Sequence, residues 1–323
     1  MSSEILLSIC IPTYNRADYL NQAIQSIVNS PDFGNAVEIV ISDNCSTDNT
    51  EITCVQWAER FPNIKYFKQH EQTKIADKNF IDVMSLGSGE YLKLSNDSIT
   101  FTRETLEFML KTVEKHKTEK ETLFFHMTRF GKNRNNKKTV IIKDPDNFVN
   151  ILSGDMTWIS NFGCWKKDFE KLENKEKYID TQFMQVDWSL RLFMQNKKAF
   201  LYSGKFYNLL PINKKGSVDL FNVYGNKYMS VYEDYLKKGF IKGTTVQQER
   251  RNTFFKILAP IYIYSAYKKD NFYKKDNFYA FIKFFKTDYI FYIQFFTLFP
   301  CYLLFLTLRK ILKSFIVKTN ICF

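Results

Sequence analysis

Four short apolar runs, at residues 5–11, 37–42, 64–69 and 91–94, alternate with stretches of helical periodicity, and this alternation restricts the chain more than any other feature. Between the runs Tyr19, Leu20, Ala23, Ile24, Ile27 and Val28 recur at helical spacing, as do Ile75, Phe80, Val83 and Met84. Apolar runs of strand length separated by amphipathic helices are the sequence form of stacked βαβ units. The expected fold is therefore α/β around a mostly parallel sheet. In such sheets ligands lie beyond the carboxyl ends of the strands, so the residues leaving each run are the ones to read for chemistry.

The first run leaves through Pro12-Thr13-Tyr14-Asn15. Pro12 fixes the exit angle, and the Tyr14 ring is suited to lie flat against a base; alone, the segment equally suits a strand end with a helix cap. The second run leaves through Ser42-Asp43-Asn44-Cys45-Ser46-Thr47-Asp48. A carboxylate followed by amide and hydroxyl donors at a helix start suits a nucleotide, with Asp43 accepting from base or ribose and the donors beyond it facing phosphate. Capping accounts for Ser46 or Asp48 but has no need of Asp43. The fourth run sits in Gly89-Glu90-Tyr91-Leu92-Lys93-Leu94-Ser95-Asn96-Asp97.

In this order the segments resemble the family 2 glycosyltransferases of the GT-A fold, whose usual forms are P-x-Y-N, a D-x-S-x-D-x-T type segment, and G-x-Y leading to D-x-D. The resemblance is strong over residues 5–100 and weaker over 155–205. It implies a GT-A type nucleotide-binding sheet flanked by helices, and an inverting transfer from a nucleotide-sugar donor. The donor would be held by Pro12, Thr13, Tyr14, Asn15, Asp43, Asn44, Ser46, Asn96 and Asp97. Where the family holds a divalent cation, Mg2+ or Mn2+, on D-x-D, this chain reads Ser95-Asn96-Asp97. Asp97 is then the metal carboxylate and Asn96 an amide helper or sugar contact, with a metal-independent mechanism left open.

Residues 73–80 stand where related enzymes contact the nucleotide, which implies Asp77 at the base and Lys78 at a phosphate; an ordinary charged helix face explains the same pair. Gln185-Val186-Asp187-Trp188 is similar to the family's base segment and implies Asp187 as the general base for the acceptor hydroxyl. Met156 to Cys164 resembles the acceptor-site loop, which implies Asp155 and Trp158 against the acceptor. Trp188 joins them as a sugar platform, although a Trp in a helix also suits a core. His70, His116 and His126 have no partner pattern and are expected to be structural.

The formal net charge of +12 is unevenly spread: from Arg251 to Phe323 there are twelve Lys or Arg against three Asp. Nucleic-acid binders carry such charge over their main fold, so nucleic acid is not an expected partner; a basic, aromatic tail points to an anionic membrane surface. Residues 289–308 carry no formal charge, yet Gln294 and Pro300 interrupt them, so an in-plane interfacial helix, a packed helix and a span all stand. Tyr-Lys-Lys-Asp-Asn-Phe occurs twice over 267–278, too few copies for a solenoid. Cysteines without C-x-x-C spacing and a start without a basic leader give an expectation of a cytoplasmic protein, peripheral at the inner membrane face.

The expected organisation is a GT-A domain over 1–212, its nucleotide-sugar half at 1–100 and its acceptor half at 101–212, then a helical, basic and aromatic region over 213–323. The expected acceptor is a glycan or lipid-linked glycan of a growing surface polysaccharide, such as a lipooligosaccharide, O-antigen or capsule precursor. The alternative is a catalytically degenerate GT-A-like protein that binds nucleotide or glycan.

Overall fold

The computed structural model of the chain describes residues 5–73, 75–127, 138–211, 219–261 and 288–297, with Phe285, Pro300, Cys301 and Leu304. The duplicated segment at 267–278, residues 128–137 and most of the chain beyond 297 lie outside the described residues.

The first elements are β1 (Leu7–Thr13), α1 (Ala17–Val28), β2 (Val37–Asp43), α2 (Thr50–Arg60), β3 (Ile64–Lys68), α3 (Ala76–Leu86) and β4 (Tyr91–Leu94). Every residue of β1, β2 and β4 is buried, as expected for parallel strands covered on both faces. Next come β5 (Ile99–Phe101), α4 (Thr105–His116), β6 (Thr122–His126), β7 (Lys138–Ile142), α5 (Pro145–Leu152), β8 (Gly163–Trp165), α6 (Lys166–Lys171), α7 (Met184–Asn196), β9 (Ala199–Ser203) and β10 (Tyr207–Leu209). The main sheet has the order β3-β2-β1-β4-β8, with β8 antiparallel on its edge. A second sheet runs β6-β9-β7, and β5 pairs with β10. This is the mostly parallel α/β sheet flanked by helices that the alternation of runs predicts.

One face of the main sheet, through Leu7, Ile9, Ile11, Val37, Ile39 and Ile41, shares a core with Leu20, Ile24 and Ile27 of α1 and Trp57 of α2. The alternate face carries Ser8, Glu38 and Ser42, and α3 packs across β1, β2 and β4. Glu38 is fully buried; it accepts from Ser8 Oγ (2.5 Å) and Ser88 Oγ (2.8 Å) and pairs with Lys65 (2.6 Å). Burial raises the pKa of that carboxyl, but the bonds from Lys65, Ser8 and Ser88 outweigh it and hold the group below its ordinary range. Glu38 thereby clips the turn from α3 into β4. Gly89 in that turn has no room for a side chain, because a Cβ would lie 2.8 Å from the Ser8 nitrogen.

The last described helices include α8 (Met229–Lys237) and α9 (Gly243–Asn252), the latter followed by a π-helical stretch, Thr253–Leu258. The chain forms two compact units: Met1–Lys214 with Lys227–Glu249, and Lys215–Asn226 with Arg250–Phe323. This differs from a division at residue 212, because 227–249 return to the first unit, where Tyr178 donates to Asp234 (2.6 Å). The second unit has its own aromatic core of Leu220, Phe221, Phe254, Leu258, Phe285 and Phe291. Within it Arg251 pairs with Asp288 (2.7 Å), and Asp288 Oδ1 caps the helix over 289–297 at the Phe291 nitrogen (3.0 Å).

Candidate active site

Strand order reverses direction between β1, which has β2 and β3 on one side, and β4 on the other. Crevices of this kind, beyond the carboxyl ends of the strands, are where open α/β sheets bind ligands. Thr13 ends β1 and Asp97 follows β4, and Thr13 Oγ1 donates to Asp97 Oδ2 across the crevice (3.0 Å). Burial pushes the half-buried Asp97 carboxyl up to about 6, against the pull of Thr13, Arg16 and Ser98.

The ends of β1 and β2 are tied to each other. Thr13 lies opposite Asp43 in the strand register. Asn15, at φ 51°, sits in the left-handed region that Asn enters more readily than most residues, and its Oδ1 accepts from Thr47 N (2.7 Å) and Asp48 N (3.3 Å). The Asn15 nitrogen donates to Ser46 Oγ (2.8 Å), and Ser46 Oγ donates to Asp43 Oδ1 (2.5 Å). Asp43 is fully buried and also accepts from Ser46 N and, at Oδ2, from the Tyr66 hydroxyl (2.9 Å). Its carboxylate is thus held by three donors of the protein, with acceptor capacity left at Oδ2. Asn44 pairs amide-to-backbone with Thr73, accepting from its N–H (2.7 Å) and donating to its carbonyl (2.8 Å), which carries the second loop to the start of α3.

At the start of α3, Asn79 Nδ2 donates to the carbonyl of Ser42 (2.9 Å) and reaches that of Thr13 (3.4 Å). Lys78 is exposed and Tyr14 is 41% exposed, so both face solvent at this end of the sheet, and Pro12 is buried. Asp77 is 2% exposed, and its Oδ2 has no hydrogen-bond partner among the described residues. Burial pushes its carboxyl up to about 7, opposed by the Gln182 N–H and Lys227 and reinforced by Asp180. The turn at Ile179–Thr181 packs against α3 and closes over it.

A divalent cation would find one suitable carboxylate here. Asn96 Oδ1 accepts from Ser160 Oγ (2.6 Å) and Asp43 already accepts from Ser46 and Tyr66, whereas Asp97 retains acceptor capacity beside Thr13 and Ser98. Among the described residues no three His, Cys, Asp or Glu converge on a point. Such a donor set fits a cation that arrives with a diphosphate and takes most of its ligands from it, not one resident in a protein cage.

On the acceptor side, Asp155 Oδ2 meets His126 Nε2 (3.0 Å), and Trp158 is 5% exposed with its ring edge-to-face on Tyr207 (5.6 Å). The sugar-facing role expected of Trp188 gives way to a core one. It is fully buried, its ring contacts Phe162 and Phe169 at 5.5 Å each, and its Nε1 donates to the Lys175 carbonyl (3.0 Å). Asp187, in the first turn of α7, is also buried; its Oδ1 accepts from the Tyr235 hydroxyl (2.9 Å) and its Oδ2 pairs with Arg191 (2.8 Å). It borders a cavity of about 510 Å³ that Lys171, Tyr235 and Phe240 also line, and no residue of the strand-end cup contributes to that lining. The structure therefore joins Thr13, Asn15, Asp43, Ser46 and Asp97 directly, and leaves Asp187 among other partners. Of the histidines, His116 is buried between Glu121 and Tyr202, and His70 is exposed.

Several contributors had not been singled out from the sequence: Glu38, Tyr66, Asn79, Lys93 and Ser160. For Glu38 and Lys93 a signal existed, a charge set inside a run otherwise apolar enough for a buried strand. Tyr66 and Ser160 carried none, since ordinary residues in ordinary places become partners only through the fold.

The sequence profile of the family described as Glycosyl transferase family 2 matches residues 8–200. Abequosyltransferase RfbV of Salmonella typhimurium is 33% identical over 105 residues, 32% of this chain and 32% of the relative, so the match spans about a third of that protein. A Campylobacter jejuni relative named GalNAc(5)-diNAcBac-PP-undecaprenol beta-1,3-glucosyltransferase is 26% identical over 261 residues, 81% of this chain and 82% of the relative. Among solved structures, S. aureus TarS superposes with a TM-score of 0.59 at 15% identity, over 78% of this chain and 44% of that one. A shorter form of that protein was solved with UDP and with UDP-GlcNAc, at TM-scores of 0.58 and 0.54.

Proposed function

The chain belongs to glycosyl transferase family 2, and on that premise we propose that it is an inverting enzyme moving a sugar from a nucleotide-sugar donor to a hydroxyl of a growing surface glycan. The observation that carries the donor side is the Thr13–Asp97 hydrogen bond across the switch point, flanked by the interlocked ends of β1 and β2. In this reading Tyr14 presents its ring to the base, Asn15, Asn44 and Ser46 shape the pocket, and Asp43 and Asp77 act from beneath it. Lys78 and Asp97 face the diphosphate. A divalent cation, when bound there, would neutralise charge on the departing diphosphate. Asp187 is carried forward as the general base by its place at the start of α7, and Asp155 and Trp158 as acceptor-side residues.

An undecaprenol-linked glycan stands in the name of the Campylobacter relative, which supports a lipid-linked acceptor for this chain. The second unit supports a peripheral membrane position. Over 289–297, Phe291 packs into the aromatic core while Tyr289 (81% exposed), Ile293 (65%) and Phe296 (71%) lie on one outward helical face. Among the described residues no helix is long and apolar enough to cross a membrane.

The test is a panel of nucleotide sugars assayed for turnover with a lipid-linked glycan fraction, in parallel with calorimetric binding of the nucleoside diphosphates. Turnover of one donor, lost by about a hundredfold or more in Asp97→Asn, is the expected outcome. Nucleotide binding without transfer or donor hydrolysis would identify a binding protein instead.

A further inference from the structure

The strand β4 reads Tyr-Leu-Lys-Leu, and its lysine, Lys93, is fully buried. Nζ donates to the carbonyls of Leu94 (3.1 Å), Phe162 (3.0 Å) and Ser160, which uses all three ammonium protons. Among the described residues no carboxylate pairs with it, and burial pulls its pKa down to about 7. A cation without a counter-ion is a costly occupant of a sheet interior, and an apolar side chain would fill the strand position without that cost.

What the amine gains for that cost is a hold on chain from the other half of the unit. Ser160 is clamped at its carbonyl by Lys93 and by the Tyr207 hydroxyl (3.2 Å). Its own hydroxyl accepts from Asn96 N (2.9 Å) and donates to Asn96 Oδ1 (2.6 Å). Backbone and amide of Asn96 are both fixed in this way, and Asp97 is the next residue. We propose that Lys93 is a positioning residue that, acting through Ser160, fixes the Asn96–Asp97 turn and so sets where the diphosphate and its cation are held. The proposal rests on the strand-end cup being the nucleotide site. It matters more here than in a site with two carboxylates, because a single acid leaves the cation no second protein ligand to correct a displaced first one.

The full-length chain is titrated calorimetrically with UDP, GDP, CDP and dTDP, each with and without Mn2+, as wild type, Lys93→Met, Ser160→Ala, Ser160→Thr and the Lys93→Met/Ser160→Ala pair. Lys93→Met and Ser160→Ala should each weaken Mn2+-supported binding by about tenfold or more, the range seen when groups that orient metal ligands are removed. Metal-free binding, carried by the ends of β1 and β2, should change by less than about twofold, Ser160→Thr should keep the wild-type affinity, and the pair should lose no more than either single change. General loosening of the fold would weaken both kinds of binding, so the split between them separates positioning from mere packing.

Single variants that retain the full Mn2+ effect, losses that add in the pair, or a wild type indifferent to Mn2+ would each overturn the proposal. A wild type that binds none of the four nucleotides rejects the nucleotide-site reading itself. Should Lys93→Met fail to fold, Ser160→Ala decides alone, since it leaves the buried amine and the core in place.

Discussion

Two claims meet on the carboxylate of Asp187. Its position in the segment before Trp188 implies the proton acceptor of the reaction, while Tyr235 and Arg191 hold it as the buried end of an ion pair. A carboxylate so engaged takes a proton only if the acceptor hydroxyl reaches it through the adjoining cavity, which is large enough for a sugar ring. Asp187→Asn separates the claims. As base, the change abolishes transfer and leaves nucleoside diphosphate affinity within about twofold. As structural anion, it leaves transfer above about a tenth of wild type while lowering the denaturant midpoint, since Arg191 loses its counter-ion. Loss of binding and transfer together would reject the base assignment.

At the scale of elements, α3 begins over a buried acid. The folded pKa of Asp77, about 7, lies above the ordinary carboxylate value of 3.8, so the neutral form is favoured in the fold. The stability this contributes is fully present below the unfolded pKa and is lost as pH rises through the folded one. Asp77→Asn should therefore match wild type near pH 4 and exceed it by an amount on the order of 4 kcal/mol above pH 7, read from urea midpoints. A difference that does not vary with pH would sink the idea.

The elements themselves were legible beforehand. The run at 37–42 became β2 almost residue for residue, the run at 5–11 became β1 two residues further along, and helical spacing placed α1 and α3 within about two residues. Strand ends were legible because parallel sheets put ligands there. The partners were not: Ser46 reads as a cap, yet it bridges Asn15 to Asp43, and the tie exists only once two strands lie side by side. Trp188 misled because large apolar side chains serve sugar stacking and core packing equally well in a sequence.

For the whole molecule, the uneven charge and the outward aromatic face over 289–297 lead to one expectation. The full chain should sediment with vesicles containing phosphatidylglycerol and stay in solution with phosphatidylcholine alone, with binding falling as salt rises. Ile293→Asp with Phe296→Asp should weaken that binding by about tenfold or more. A protein that ignores anionic vesicles at low salt would end the membrane reading. The first unit, meanwhile, is assembled from two separated stretches, and the later one, Lys227–Glu249, supplies the hydroxyl of Tyr235 to Asp187. A ribosome that has just added residue 212 has made the strand-end cup and Arg191 but not Tyr235, the hydroxyl partner of Asp187. During synthesis the strand-end cup is complete first, and the surroundings of the proposed base close only after residues 227–249 have joined the unit.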